Sequence, residues 1–256
     1  MYKIDLNCDL GESFGAYKIG LDEQVIPLVS SANIACGFHA GDPQVMKNSC
    51  RLCAQHGAGA GAHPGFPDLM GFGRRNINAS PAEVESYVTY QLGALGAFCK
   101  SAGIKLSHVK PHGALYNMAA RDEKLAAAII SAVYNYDKNL ILLALSGSAM
   151  IKEAQKAGLR FANEVFADRA YENDGSLVAR TKPGAMITDE NEAVSRVVKM
   201  VKEKKVLTID NEEIDIQPDS VCVHGDGAKA LDFVKKLREA FENNGISIQP
   251  LSEIVK

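Results

Sequence analysis

Residues 3–9 read Lys-Ile-Asp-Leu-Asn-Cys-Asp, and after the first lysine apolar and polar side chains alternate without a break. A β-strand sends successive side chains to opposite faces, so Ile4, Leu6 and Cys8 share one face and Asp5, Asn7 and Asp9 the other. The same two-residue period recurs farther on. Val109 and Pro111 oppose His108, Lys110 and His112; Phe161, Asn163 and Val165 oppose Ala162 and Glu164; Val221 and Val223 oppose Cys222 and His224. One face of each strand is expected to pack on helices and the other to point into a closed barrel. Polar groups turned toward such an interior are costly unless they are paired or functional. Several strands that do this near their C-terminal ends fit an α/β barrel with its active site on the C-terminal face.

Working outward, strands are expected at Lys3–Asp9, Ala32–Phe38, Gly59–His63, Leu106–His112, Asn139–Leu145, Leu159–Val165 and Ser220–His224, with helices between them. Asp42-Pro43 reads as the N-cap and first residue of a helix that stops at Gly57. Ser80-Pro81-Ala82-Glu83 is a capping box, and Val84, Tyr87, Val88, Leu92, Leu95 and Phe98 follow at helical spacing up to Gly103. Thr188 opens another helix, and Ala228 to Asn243 is the last long one. Alternating strands and helices predict a parallel sheet in one α/β domain, residues 1–256. Seven or so such units fit a TIM-like (β/α) barrel, although an open doubly wound sheet fits the same string. Two loops interrupt the pattern, Asp68–Asn78 and Ala167–Ile187, the second long enough to be a lid or substrate loop. Val206–Ile216 reads as a small hairpin turning at Asp210-Asn211.

Composition narrows the classes. The chain has 256 residues, 46% hydrophobic and 23% charged, with a net charge of −3. That balance gives no electrostatic case for nucleic acid or an anionic membrane. The N-terminus lacks the basic and apolar regions of a secretory signal, and no stretch approaches the ~20 apolar residues of a bilayer span. A cytoplasmic protein with reduced thiols is expected, and Cys50-x-x-Cys53 is read as helix packing because no second such pair completes a zinc site.

Four of the six histidines sit at expected strand ends with glycine close behind: His39-Ala-Gly-Asp42, His63-Pro-Gly65, His112-Gly113 and His224-Gly-Asp226. Imidazoles beside carboxylates suit general acid/base work or a divalent metal. One such histidine is as well explained by a structural turn; four together favour a site. His56, at a helix C-terminus, and His108, deeper in the barrel, are read as structural. Lys110 sets a cation beside His112 where a substrate carboxylate or phosphoryl group can bind, and Arg169 can fork onto the same kinds of anion. No Walker-type phosphate loop and no nucleophile elbow occurs.

Six ordered blocks carry a resemblance: Asp5–Glu12, Asn33–Asp42, Gly61–Asp68, Val109–Asn117, Glu164–Tyr171 and Cys222–Asp226. Together they resemble the LamB/YcsF family along nearly the whole chain. The resemblance implies a seven-stranded barrel of the glycoside hydrolase/deacetylase type. It also implies one component of an ATP-dependent 5-oxoprolinase, which opens the lactam of 5-oxo-L-proline to L-glutamate with partner subunits B and C. An unreactive lactam needs activation, which phosphorylation of its carbonyl oxygen by ATP would supply before water attacks. Residue chemistry and barrel placement then nominate Asp9, His39, His63 and His112 for water activation, with Asp9, His39 and His63 as the candidate ligands of a divalent metal. Lys110 and Arg169 take the anionic groups. Glu164, Asp168 and His224 act as acid/base or orienting residues, and Asn7, Asp42 and Asp226 join Arg169 in substrate binding. A stand-alone metal-dependent hydrolase or deacetylase of the same barrel class, and a non-catalytic scaffold for partner subunits, are the competing readings.

Overall fold

The computed structural model describes residues 2–224 and 230–255, with side chains at 2–223 and 231–255. Its first strand, β1 (Tyr2–Leu10), is the hub of a parallel sheet. β2 (Ser31–Ala35), β3 (Gly59–His63), β4 (Leu106–Val109), β5 (Ile141–Leu145) and β6 (Phe161–Phe166) follow in order around it. A short antiparallel hairpin, β7 (Lys205–Leu207) and β8 (Glu213–Asp215), stands apart. β9 (Ser220–His224) then pairs with both β6 and β1 and closes a seven-stranded barrel. β10 (Ile246–Ile248) lies beside β9 along the same edge of β1, pairing with Tyr2–Ile4.

Helices α1 (Asp22–Val25), α2 (Pro43–His56), α3 (Pro81–Ser101), α4 (Gly113–Ala119), α5 (Glu123–Tyr136), α6 (Ala149–Ala157), α7 (Glu190–Glu203), α8 (Ala230–Asn243) and α9 (Leu251–Ile254) complete the chain. Local chemistry sets their ends. Asp42 caps α2 through Gln44 N and Val45 N, Gly57 ends it in the left-handed region, and Ser80 with Glu83 forms the expected capping box of α3. Ile4, Leu6 and Cys8 are fully buried in the same apolar core as Val84, Val88, Leu92 and Leu95 of α3. Among the described residues, no helix is long and apolar enough to cross a membrane.

The inner face is polar, as the alternation predicts. Asp5 sits level with Ser220, Asn7 with Ser31 and Cys222, and Asp9 with Asn33. Asp5 accepts from Ser30 and Ser31 Oγ at 2.6 Å each and from Ser220 Oγ. Asn7 Nδ2 donates to Ser220 Oγ at 2.7 Å, and Asn33 Nδ2 to Asn7 Oδ1 at 2.8 Å. These bonds compensate the desolvation of the buried polar groups. His108 reaches from β4 across β3 to Asn33 Oδ1 at 2.8 Å. It can do so because β3 presents Gly61 there; a Cβ at that position would overlap the imidazole. At the N-terminal end, Ile141, Leu143 and Ala162 turn inward and pack against Leu251 of α9. That apolar plug closes the floor, leaving the C-terminal mouth for chemistry.

Some boundaries differ from expectation. β2 ends at Ala35 rather than Phe38, where Gly37 takes a φ of +93° and turns the chain. β4 ends at Val109 rather than His112, because Pro111 has no N–H to continue a ladder. Lys110 N and His112 N still donate to Ala62 O and Pro64 O, so the inward alternation outlasts the strand. α7 is capped by Asp189, not Thr188. The expected hairpin is present, with Asn211 in the left-handed region between β7 and β8.

Candidate active site

Lys110 crosses the barrel interior from the end of β4 with 2% of its surface exposed. Its Nζ lies 2.8 Å from Asp9 Oδ1 and 2.7 Å from Glu164 Oε1, and it donates to Cys222 Sγ at 3.1 Å. A buried charge of this kind persists only when well paired. Burial opposes the ammonium, but Asp9, then Cys222 and Glu164, hold Lys110 well above the usual lysine range. Tyr116, from α4, donates to Glu164 Oε2 at 2.7 Å. Burial and then Glu164 push that phenol well up, so it keeps its proton.

A second group adjoins the first. His63 ends β3, His112 caps α4, His39 follows β2, and Glu12 lies just past the turn at Gly11. One ligand atom from each of Glu12, His39, His63 and His112 lies within 4.8 Å of the others. The His39 and His112 rings stack at 3.6 Å, and His63 stands edge-on to both. Gly73 makes this possible: its φ is +62°, and a Cβ there would come within 2.6 Å of His39 Cβ and 2.8 Å of His112 Cδ2.

Hydrogen bonding fixes where the lone pairs point. His63 Nδ1 lies 2.7 Å from Lys110 O and His112 Nε2 lies 2.8 Å from Phe72 O. A carbonyl only accepts, so both of these nitrogens carry hydrogen. Burial, then the neighbouring His63, hold His112 well below the usual histidine range and so neutral. Its unprotonated Nδ1 therefore turns a lone pair toward His63 Nε2, 3.0 Å away. Asp9 Oδ2 is 3.4 Å from His63 Nε2, and Glu12 Oε1 is 3.6 Å from His39 Nε2 and 3.8 Å from His112 Nδ1. Both nitrogens of fully buried His39 lack a hydrogen-bond partner among the described residues. Convergent lone pairs and carboxylates, with two imidazoles anchored from behind by backbone carbonyls, form a donor set that can hold a metal ion.

Both groups open into a cavity of about 1040 Å³. Asp9, Glu12, His63, Lys110 and His112 line it, and so do Arg74, Arg121, Arg169 and Arg180. The expected long loop, 167–187, supplies one wall. In it Arg169 is 4% exposed, Nη2 donates to Val178 O at 2.6 Å, and Nε has no hydrogen-bond partner among the described residues. Burial, then Arg180, bring Arg169 down to about 10, still a cation at neutral pH.

The structure thus brings Asp9, His39, His63, Lys110, His112 and Glu164 together, with Arg169 lining the same cavity. Asp9 stands beside the four-residue donor group rather than within it, since Oδ1 serves Lys110 and Asn33. Asp168 lies past the end of β6 next to Arg169. Asn7 is buried one layer below the mouth. Asp42 faces elsewhere, committed to the α2 cap and to Gly15 N at 2.8 Å. The side chain of His224, and all of Asp226, fall outside the described residues. His108 is held on both sides, by Ser107 and Asn33, and burial, then Lys110, lower it to about 3. Arg75 pairs with Asp68, whereas Arg74 turns to the cavity over the Phe72 ring. Glu12, Tyr116 and Arg121 are site residues that sequence reasoning passed over. Glu12 lies beyond the strand, where the period of two no longer says which way a side chain points.

Comparison with known proteins bears on the family and the fold. Residues 4–256 match the LamB/YcsF family. A relative from Clostridium beijerinckii, named as the A subunit of 5-oxoprolinase, is 64% identical over 99% of this chain and 100% of that one. The crystal structure of a lactam utilization protein from Thermus thermophilus superposes with a TM-score of 0.91 at 48% identity, over 96% of this chain and 99% of that one. A family 4 carbohydrate esterase from Streptomyces lividans shares the fold alone, with a TM-score of 0.50 at 8% identity over 99% of this chain and 96% of that one.

Proposed function

The chain belongs to the LamB/YcsF family, and we propose on that premise that it is the A component of an ATP-dependent 5-oxoprolinase. With partner subunits B and C it opens the lactam of 5-oxo-L-proline to L-glutamate. The observation that carries this reading is the Asp9–Lys110–Glu164 network, buried at the barrel mouth and abutting the histidine group in one cavity.

Opening a lactam adds water at an amide carbon, breaks the C–N bond and releases the ring nitrogen as an amine. Transfer of the terminal phosphoryl group of ATP to the carbonyl oxygen, with release of ADP, makes the ring carbon electrophilic enough for water to add. C–N cleavage then leaves an acyl phosphate, which a second water converts to the carboxylate and inorganic phosphate. This chain's residues do the rest. Arg169 holds an anionic group, and Lys110, its charge met by Asp9 and Glu164, orients the reacting groups at the barrel mouth. Asp9, with its Oδ2 toward His63, is placed to accept a proton from the attacking water. Glu164, steadied by Tyr116, keeps Lys110 directed at the cavity. Asp168 and His224 remain candidates for acid/base or orienting roles, and Asn7, Asp42 and Asp226 for substrate contacts. The test is glutamate release from 5-oxoproline with and without partners and ATP. Release only with both is expected; none under any condition, with partners present, would overturn the proposal.

A specific observation favours keeping a second reading, a metal-dependent hydrolase of the same barrel class. Glu12, His39, His63 and His112 fit a divalent ion of the zinc type. Such an ion, when bound, supplies Lewis acidity and a water of lowered pKa. The purified chain is expected to retain about one equivalent of a divalent metal by elemental analysis, and Glu12→Gln or His63→Ala to lose most of it. Metal content indifferent to both substitutions would remove this reading.

A further inference from the structure

The cavity carries more positive charge than a lactam carboxylate needs. Among the described residues, seven lysine and arginine side chains line it against three carboxylates, Asp9, Glu12 and Glu172. Lys110 pairs with Asp9 and Glu164, Arg75 with Asp68 and Lys182 with Glu172, and Arg74 and Arg180 have partners as well. Arg121 and Arg169 are different. Among the described residues neither has a carboxylate within ion-pair distance; Arg121 donates to Ser176 Oγ and Arg169 to Val178 O. Arg169 is nearly fully buried with Nε unpartnered, an arrangement that is costly unless an anion arrives.

Size points the same way. A cavity of about 1040 Å³ is at the upper end of what encloses a drug-sized ligand, and a five-membered lactam fills a small part of it. Arg121 and Ser176 also line a second cavity of about 800 Å³ that adjoins the first. A long ligand can therefore run from the Lys110 end past Arg121 and into the neighbouring space. Guanidinium groups match phosphate oxygens with paired N–H donors, which single-point ammonium groups do not.

We propose that Arg121 and Arg169 bind the polyphosphate of a nucleoside triphosphate, so that the phosphoryl donor sits on this chain rather than on a partner subunit. The inference rests on the ATP-dependent reading above. It places the donor and the lactam in one cavity, with Lys110 between the arginine wall and the histidine group.

The experiment titrates ATP into the complex of this chain with its partner subunits, and inorganic tripolyphosphate into this chain alone. Each is repeated with Arg121→Ala and with Arg169→Lys. Arg121 is exposed, so its variant folds even where a change at buried Arg169 would not. A lost charge-assisted contact is expected to weaken each affinity about tenfold or more. Tripolyphosphate is expected to compete with ATP and adenosine not to compete. Unchanged ATP affinity of the complex with both variants would overturn the inference. So would tripolyphosphate binding that neither variant weakens. Glutamate release is measured on the same preparations: persistence with unchanged ATP affinity removes this inference and leaves the oxoprolinase reading standing, whereas no release by the unsubstituted complex removes that reading itself.

Discussion

Lys110 is where burial and charge conflict most sharply. The ammonium holds apart two carboxylates, Asp9 and Glu164, that would otherwise face each other in a dry interior. Removing one member of such a set leaves unpaired buried charge. Lys110→Met is therefore expected to lower unfolding free energy by about 3–5 kcal/mol, read from denaturant titration, and to abolish activity in the complex. Stability at or above that of the unsubstituted chain would show that the network is not compensated as described. Asp5, two layers below the mouth, behaves differently. Burial raises its carboxyl from 3.8 to about 6, despite hydrogen bonds from Ser220, Ser30 and Ser31. The folded state thus binds the proton more tightly than the unfolded state. Its contribution is fully present below pH 3.8 and is lost as pH rises through about 6. That loss is on the order of 3 kcal/mol. Asp5→Asn is expected to flatten the fall in stability between about pH 4 and 6, and an unaltered slope would contradict this. Both residues were legible in the sequence because the alternation at residues 3–9 and 108–112 says which way they point. Glu12 and Tyr116 were not, since a turn and a short helix aim them.

At the scale of elements, β3 shows how one strand is thinned to serve its neighbours. Gly61 leaves space for the His108 imidazole to reach Asn33, tying β4 to β2 across β3. Gly61→Ala is expected to force His108 aside and to cost about 1–3 kcal/mol, as overpacking of a filled interior does. His108→Ala in the same background should recover part of that loss, and strict additivity of the two changes would argue against the contact. The helix ends were legible where capping chemistry marks them, at Asp42-Pro43, Gly57 and Ser80–Glu83. The strand ends at Ala35 and Val109 were not, because the inward period runs on through Lys110 and His112 after the ladder formally stops. β10 and α9 also escaped notice. Each is only three or four residues long, and each is held by long-range contacts with β1 or with Ile141 and Leu143.

At the scale of the whole molecule, the question open in the sequence was whether the sheet closes. Pairing of Asp5 with Ser220 joins the first strand to the last of the barrel, and no local pattern announces a contact that distant. Closure is what turns the polar strand faces toward one another and concentrates Asp9, Lys110, Glu164 and the histidines at a single mouth. If lactam opening takes place at that mouth, substitutions there must stop it without disturbing the partners. The deciding measurement is glutamate release from 5-oxoproline and ATP by complexes rebuilt with Lys110→Met, His63→Ala or Glu12→Gln in this chain, each confirmed folded and assembled. A loss of at least about a hundredfold in kcat with assembly intact is expected, the scale typical of removing a general acid/base or charge-stabilising group. Near-unchanged release from all three complexes would show that this chain is a scaffold for catalysis carried out elsewhere.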